Sequence, residues 1–271
     1  MELYTYYRST SSYRVRIALA LKGLAYQSLP VNLLQGEQRG EGYVAVNPQG
    51  RVPALRTDGG EVLVQSPAII EYLEEVYPQP ALLPATAEAR AKVRGVAAII
   101  GCDIHPLHNV SVLNRLRQAG QDEGQVNQWI GHWISQGLAA VEQLIGDHGF
   151  CFGDTPGLAD VYLIPQLYAA ERFNIDLDSF PRILRVAALA AAHPAFAKAH
   201  PPSSRTARLS EVNGSSPEAC RFARTASGAG PGLPSAAMHA PGRSARPVGN
   251  PDDGRARRGS CSRLPAPGPT A

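Results

Sequence analysis

Cysteine and long apolar runs are both scarce in this sequence. The chain of 271 residues has four cysteines, and their positions show neither paired nor metal-ligand spacing: Cys102, Cys151, Cys220 and Cys261. We therefore expect reduced thiols and no metal site. No apolar run approaches the roughly 18–20 residues that a membrane span needs, and no charged and apolar leader follows Met1. These absences predict a cytoplasmic protein that has no membrane partner.

The first 200 residues also lack a strong charge of either sign. The whole chain has a formal net charge of +3, but residues 201–271 alone contain ten arginines, no lysine and four acidic residues. This leaves 16 basic and 19 acidic residues, a net charge of −3, on residues 1–200. We therefore expect no basic face for nucleic acid and no nucleic-acid partner.

Residues 201–271 have almost no aromatic or long aliphatic side chains, and Pro, Gly, Ala, Ser and Arg dominate them. Such a segment cannot bury enough apolar surface to offset the entropy lost on ordering. We predict a disordered C-terminal tail over 201–271. Its composition resembles a GC-rich sequence translated in a shifted frame, so a frameshift product and an ordinary disordered tail both stay open.

The first 80 residues carry a mixed pattern of strands and helices. Strands are predicted at 2–6, 27–31, 52–56 and 61–64, and helices at 12–22, shortly before Pro48, and from Pro67. This order predicts an α/β thioredoxin-like N-terminal domain over 1–80. After a linker, residues 87–200 show a period near 3.6 with breaks at glycine and proline, which predicts an all-α C-terminal domain.

A run of hydroxyl side chains joins the first strand to the first helix. Ser9, Thr10, Ser11 and Ser12 stand where backbone N–H groups are unpaired and the helix dipole is positive. This arrangement suits a bound anion such as a thiolate. Simple capping of the helix by Ser11 or Ser12 is the alternative.

Three blocks of sequence, in this order, resemble glutathione transferases. They are residues 8–19, residues 47–55 with 65–73, and residues 154–165 in the helical half. The first block and the segment Ala170-Glu171-Arg172-Phe173 are similar to the zeta class of that family. The resemblance runs from about residue 1 to residue 200 and excludes the tail.

This resemblance implies the glutathione transferase fold, glutathione as the cofactor, and a homodimer. It implies a glutathione-dependent cis–trans isomerase that converts maleylacetoacetate to fumarylacetoacetate in tyrosine and phenylalanine degradation. A maleylpyruvate isomerase of gentisate catabolism is one alternative, and a non-catalytic binding protein of the same fold is another. In both isomerase readings the partner is a small maleyl dicarboxylate. Val110-Ser111-Val112 stands where maleylpyruvate isomerases tend to carry arginines, which favours maleylacetoacetate.

The resemblance also implies a set of site residues. The catalytic hydroxyls are placed on Ser9 and Thr10, beside Ser11. The residues implied to hold glutathione are Val52, Pro53, Gln65, Ser66, His105, His108 and Asn109. Arg8 and Arg172 are implied to hold the substrate carboxylates, because guanidinium groups bind carboxylates with two parallel hydrogen bonds.

Several of these implied residues have a physical reason. The peptide bond before Pro53 is expected to be cis, which would turn the backbone of Val52 toward the ligand. Ser66 begins a predicted helix and can offer its hydroxyl and N–H to the γ-glutamyl carboxylate, or serve simply as the N-cap.

Two residues depart from the family pattern. Ser11 stands where a cysteine often stands, and without that cysteine no mixed disulfide with glutathione can form there. This argues against a thiol transferase or a dehydroascorbate reductase. Gly157 replaces the usual Ser or Thr helix cap, with Asp160 in place three residues on, and we expect this to lower stability by about a few tenths of a kcal/mol.

Overall fold

The computed structural model describes residues 1–201. The predicted tail therefore lies outside the described residues, apart from Pro201. Within the described part, the strands and helices follow the predicted order.

The N-terminal part has four short strands and three helices, with one 3₁₀ turn at Glu37–Arg39. In chain order the elements are β1 (Glu2–Thr5), α1 (Thr10–Leu21), β2 (Gln27–Pro30), α2 (Glu41–Val44), β3 (Ala54–Arg56), β4 (Val62–Val64) and α3 (Ser66–Val76). They form one mixed sheet of order β2-β1-β3-β4, in which β1 runs parallel to β2 and antiparallel to β3. This is the predicted thioredoxin-like arrangement.

The alternation of side chains along the central strands fixes the register of this sheet. Leu3 pairs with Ser28 on one side and with Leu55 on the other, and both leucines are fully buried. Because a strand shows alternate side chains to opposite faces, a slip of one residue would expose these leucines. Helix α1 packs against α3 of the same domain and against two helices of the C-terminal domain, at Leu158–Arg172 and Pro194–Ala199.

The C-terminal part is helical, as predicted. Its elements are α4 (Ala87–Ala98), a π-helical turn (Ile99–Ile104), a 3₁₀ turn (His105–His108), α5 (Val110–Gln118), α6 (Glu123–Leu144), α7 (Leu158–Arg172), α8 (Pro181–Ala192) and α9 (Pro194–Ala199). Gly120 and Gly149 have positive φ angles of 90° and 59°, a backbone region that glycine adopts without steric cost. These two glycines therefore mark real breaks between helices.

One helical stretch contradicts the sequence prediction about apolar length. Residues Ala87–Gln118 form a run of helix that is long and apolar enough, by length and composition, to cross a membrane. Its π-helical turn packs against α6 and α7, where Ile100 and Ile104 are fully buried. A helix of a folded domain can have the same composition, and these two isoleucines lie in the core, although only 33% of the apolar window is buried.

Candidate active site

The N-terminus of α1 carries the predicted hydroxyl cluster. The helix begins at Thr10, two residues before its predicted start, and Ser9 is its N-cap. The Ser9 Oγ accepts a hydrogen bond of 3.2 Å from the Ser12 backbone N–H. Capping by Ser11 or Ser12, the alternative from the sequence, is therefore wrong, because the chain already turns into helix at Thr10. The hydroxyl proton of Ser9 is left to donate, since the cap uses only its oxygen.

The first turn of α1 contains no acidic residue. Nothing negative there competes with an anion for the positive end of the helix dipole. Thr10 is buried and Ser11 is half-buried, so Ser9 and Ser11 are the more accessible of these hydroxyls. The terminus can therefore accept an anion, and the prediction that this anion is the glutathione thiolate stays a prediction.

The predicted glutathione-backbone site lies between β3 and α3. The Val52–Pro53 peptide bond is cis, as predicted, and it directly precedes β3. Gln65 has a φ of 71°, a left-handed conformation that is uncommon outside glycine, and its Nε2 donates to Gln49 Oε1 at 2.7 Å. Such strain is found where a backbone is held for a ligand. Gln49 was not foreseen from the sequence.

Ser66 is buried and is the first residue of α3, while Gln65 is the N-cap and makes no capping hydrogen bond with its side chain. The reading of Ser66 as a simple N-cap is therefore wrong. Its position in the first turn leaves its N–H directed out of the helix end, where an incoming carboxylate can accept it.

The three polar residues predicted after α4 take different positions. His108 is buried and shares a hydrogen bond of 3.2 Å with the Gln166 side chain of α7. Asn109 is the N-cap of α5, and its Oδ1 accepts from both the N–H and the hydroxyl of Ser111 at 3.1 Å. His105 is half-buried and its ring meets that of His108 edge to face at 5.5 Å. Only His105 is therefore left without a structural hydrogen bond among the described residues.

Both histidines are neutral at neutral pH. Burial lowers the pKa of His108 to about 4, and burial together with the charge of Arg14 lowers the pKa of His105 well below its ordinary range. They can exchange hydrogen bonds with a ligand, but they add no positive charge to the site.

The region around Ser9 at the start of α1 and Arg172 at the end of α7 is called the cleft below. Its positive charge comes from arginines. Arg8 follows β1, and Arg172 ends α7. Partial burial of the Arg172 guanidinium, together with the charge of Arg8, lowers the pKa of Arg172. The Arg172 guanidinium lies 5.7 Å from the ring centres of both Tyr168 and Phe173. The structure thus brings the two predicted carboxylate-binding arginines within electrostatic reach of each other, and no carboxylate among residues 1–201 forms an ion pair with Arg172.

Arg51 links the two domains beside this cleft. Its Nη2 donates to the Ser111 hydroxyl at 3.2 Å, so the residue before Val52 is tied to the N-terminus of α5. Nothing in the sequence indicates this contact, because the two residues are 60 positions apart. As for metals, the described residues contain no group of three His, Cys, Asp or Glu side chains that could hold an ion.

Comparisons with known proteins agree with this geometry. Residues 8–76 match the family model of the glutathione S-transferase N-terminal domain, and residues 124–198 match that of the C-terminal domain. A maleylacetoacetate isomerase of Pseudomonas aeruginosa strain PAO1 is 76% identical over 203 residues, which cover 74% of this chain and 96% of that protein.

Two solved structures are also similar. The holo structure of a maleylpyruvate isomerase, a bacterial zeta-class glutathione S-transferase, is 50% identical with a TM-score of 0.73, over 76% of this chain and 99% of that one. A maleylacetoacetate isomerase of Anaeromyxobacter dehalogenans with bound dicarboxyethyl glutathione and citrate is 43% identical with a TM-score of 0.68, over 75% of this chain and 92% of that one.

The chain belongs to the glutathione S-transferase family, and its relatives include both zeta-class enzymes and maleylacetoacetate isomerases. The resemblance inferred from the three sequence blocks is therefore confirmed.

Proposed function

We propose that this protein is a glutathione-dependent cis–trans isomerase that converts maleylacetoacetate to fumarylacetoacetate. The observation that carries the proposal is the pair of guanidinium groups, Arg8 and Arg172, next to the acid-free N-terminus of α1 that Ser9 caps. A thiolate site beside two arginines that have no carboxylate partner among residues 1–201 suits a substrate that is both an electrophile and a dicarboxylate. The 76% identity to a maleylacetoacetate isomerase supports the same substrate.

The residues at the start of α1 are proposed to stabilise the glutathione thiolate. Bound glutathione supplies a thiolate whose reversible addition turns the substrate double bond into a rotatable single bond. The Ser9 hydroxyl and the first-turn N–H groups of α1 stabilise negative charge on that sulfur. Thr10 and Ser11 are proposed to support the same terminus, with Ser11 unable to form a disulfide.

Other residues hold the two ligands in place. The backbone of Val52, with Pro53 in cis, and the start of α3 at Gln65 and Ser66 are proposed to hold the glutathione backbone. Arg172 and Arg8 hold the carboxylates and stabilise the negative charge that develops as the sulfur adds.

We propose more limited roles for the polar residues after α4. His105 is proposed to meet the ligands as a neutral hydrogen-bonding group. His108 and Asn109 make their own hydrogen bonds within the protein. We therefore propose that His108 acts by holding His105 and that Asn109 acts by capping α5. We also propose a homodimer and a cytoplasmic location, on the family resemblance alone. Light scattering tests the first, and a monomer would contradict it.

The decisive experiment measures turnover of maleylacetoacetate and of maleylpyruvate by the purified full chain, with and without glutathione. We expect glutathione-dependent isomerisation with the higher kcat/KM for maleylacetoacetate. A preference for maleylpyruvate would favour the function of the relative that is 51% identical, a maleylpyruvate isomerase of a Ralstonia species. Retention on immobilised glutathione without turnover of either compound would indicate a non-catalytic binding protein.

A further inference from the structure

Helix α1 buries two arginines, and they use their hydrogen-bond donors differently. Arg14 and Arg16 are each only 2% exposed, and burial lowers the pKa of each guanidinium to about 10. Arg16 donates from Nε to the Ala199 carbonyl at 3.0 Å and from Nη2 to the Tyr7 carbonyl at 3.0 Å. It thereby ties α1 to α9 and to the end of β1, which is a structural role.

Arg14 has no comparable set of partners. Its Nε and Nη2 atoms are buried and have no hydrogen-bond partner within residues 1–201. These two N–H groups share the edge of the guanidinium that normally binds a carboxylate. Its guanidinium carbon lies 4.6 Å from the ring centre of Tyr162, and its Nη1 is 3.9 Å from the position that a Cβ on Gly101 would occupy.

No negative group near Arg14 compensates its charge. From α7 it meets Tyr162, whose pKa burial raises to about 12, so that ring is neutral. From the turns after α4 it meets the Cys102 thiol and the neutral imidazoles of His105 and His108. The carboxylate of Glu71, on α3 near Tyr162, is held by Arg94 through two hydrogen bonds of 2.9 and 2.8 Å. Arg14 is therefore a buried cation without a counter-ion among the described residues.

An uncompensated buried charge is costly unless the protein's ligand supplies the opposite charge. Arg14 follows Ser9 by five residues on one helix, which places its Cα about 7.5 Å along the axis from the anion-binding end. Arg14 is buried among groups that carry no compensating charge, so its field is weakly screened over that distance.

We propose that Arg14 is an electrostatic partner of the glutathione thiolate, whose negative charge compensates the buried guanidinium when glutathione binds. Arg14 does not touch the sulfur; it acts across the first turn of α1. The inference rests on the proposed glutathione chemistry and adds a residue to it. It also gives a reason for an arginine at a buried position where an apolar residue would pack at lower cost.

The experiment titrates the thiol of glutathione bound to the full-length protein by the ultraviolet absorbance of the thiolate. Arg14→Gln should raise the pKa of the bound thiol by about one unit, because a unit charge at that range in a medium of intermediate dielectric is worth roughly that much. Arg14→Lys keeps the charge and should keep the thiol pKa near that of the unmodified protein. The isomerisation rate of Arg14→Gln should be about tenfold low near neutral pH and recover at alkaline pH, where the thiol ionises unaided.

Lys22→Met is the matched control. Lys22 is a buried cation at the other end of α1, but Glu74 compensates it through an ion pair of 2.8 Å. This variant should lose stability without moving the thiol pKa. An unchanged thiol pKa in Arg14→Gln, or an equal shift in Arg14→Lys, would overturn the inference.

The same titration separates this inference from the proposed function. If the unmodified protein shows no thiolate signal with glutathione, the proposed chemistry itself fails and the role of Arg14 falls with it. If the unmodified protein lowers the thiol pKa and Arg14→Gln lowers it equally, only the role of Arg14 is wrong. Should Arg14→Gln fail to fold, Arg14→Met and the pH–rate profile of Arg14→Lys take its place, and a raised thiol pKa in the lysine variant would contradict the proposal.

Discussion

Replacing His108 by glutamine is expected to make the folded protein less sensitive to acid. Burial lowers the pKa of His108 from its ordinary value of 6.5 to about 4, even though the hydrogen bond to Gln166 opposes this shift. Between these two values the unfolded chain binds a proton that the folded chain does not. The free energy of unfolding therefore falls as the pH falls through this window, and it is unaffected by this group above it.

The size of the effect follows from the width of that window. Each unit of pKa difference corresponds to about 1.4 kcal/mol, so protonation of His108 costs the folded state roughly 3 kcal/mol once the pH is below both values. At about pH 5 the protonation is incomplete in the folded state, and the cost is about 2 kcal/mol. His108→Gln should remove this part of the free energy of unfolding that is lost at acidic pH. The part due to His105 should remain, since burial also lowers the pKa of His105.

The measurement is urea unfolding followed by circular dichroism at about pH 7.5 and about pH 5, at one protein concentration because oligomerisation would shift the transition. The difference in the free energy of unfolding between the two pH values should be about 2 kcal/mol smaller in His108→Gln than in the unmodified protein. His148→Gln serves as the control: the His148 side chain is 78% exposed and its pair with Asp147 lies in solvent, so the difference should be nearly unchanged. If the free energy of unfolding falls equally between the two pH values in His108→Gln and in the unmodified protein, His108 is not the source of this acid sensitivity.

Four further outcomes are expected. Ser9→Ala combined with Thr10→Ala should lower kcat on the order of 10–100-fold, through the loss of hydroxyl donors at the thiolate; an unchanged kcat in steady-state assays would remove these residues from the mechanism. Arg172→Lys should lower kcat/KM for the dicarboxylate roughly tenfold, because an ammonium cannot make the paired hydrogen bonds of a guanidinium; equal values for both proteins would contradict a carboxylate contact. Asp160→Ala should cost roughly 2–5 kcal/mol in urea unfolding, because it leaves the buried N–H of Cys151 and the N–H of Gly157 without their acceptor; a loss below about 1 kcal/mol would show that water replaces the carboxylate. Sequencing the locus should reveal an intact in-frame stop shortly after residue 200 if the segment 201–271 is a frameshift product, and a verified continuous frame would end that interpretation.

The sequence was most informative where structure is set locally. The order of strands and helices and the breaks at Gly120 and Gly149 follow from short-range patterns and turn chemistry, whereas the cis bond before Pro53 follows from the family resemblance. The observed start of α1 at Thr10 differs by two residues from the predicted start, because several adjacent hydroxyls could each cap the helix.

Contacts between distant parts of the chain could not be predicted. Gln166 lies 58 residues from His108, and nothing in either segment indicates their hydrogen bond. The burial of Arg14 was missed for another reason: charged residues are rarely fully buried, so a helix pattern assigns them to solvent. The sequence does not indicate that Asn109 caps α5, a role that only the start of that helix reveals, and its proposed ligand contact stays a prediction.

Gly157, which stands where the family usually has a Ser or Thr helix cap, lies close to the backbone of another segment. The residue caps α7, its N–H donates to Asp160 at 2.8 Å, and a Cβ there would stand 3.0 Å from the Leu82 carbonyl oxygen. That same carbonyl accepts the N–H of Leu158 at 2.8 Å. The glycine thus lets the linker after α3 approach the start of α7 closely.

A glycine also governs the position of the histidines. A Cβ on Gly137 of α6 would overlap the Ile104 side chain, so the absence of that atom lets the π-helical turn pack directly against α6. Because π-helical turns occur often at functional sites, this close contact is consistent with a turn held in place to present His105 to the cleft.

The electrostatics of the cleft follow from this packing. The buried guanidinium of Arg14 contributes to keeping both histidines neutral, since its charge lowers the pKa of each. The attraction for anions therefore comes from arginines, whose charge does not change between mildly acidic and mildly alkaline pH. If Arg8 and Arg172 bind the dicarboxylate as proposed, we expect binding over the whole neutral range, and a pH dependence of turnover set by the ionisation of the thiol at the start of α1.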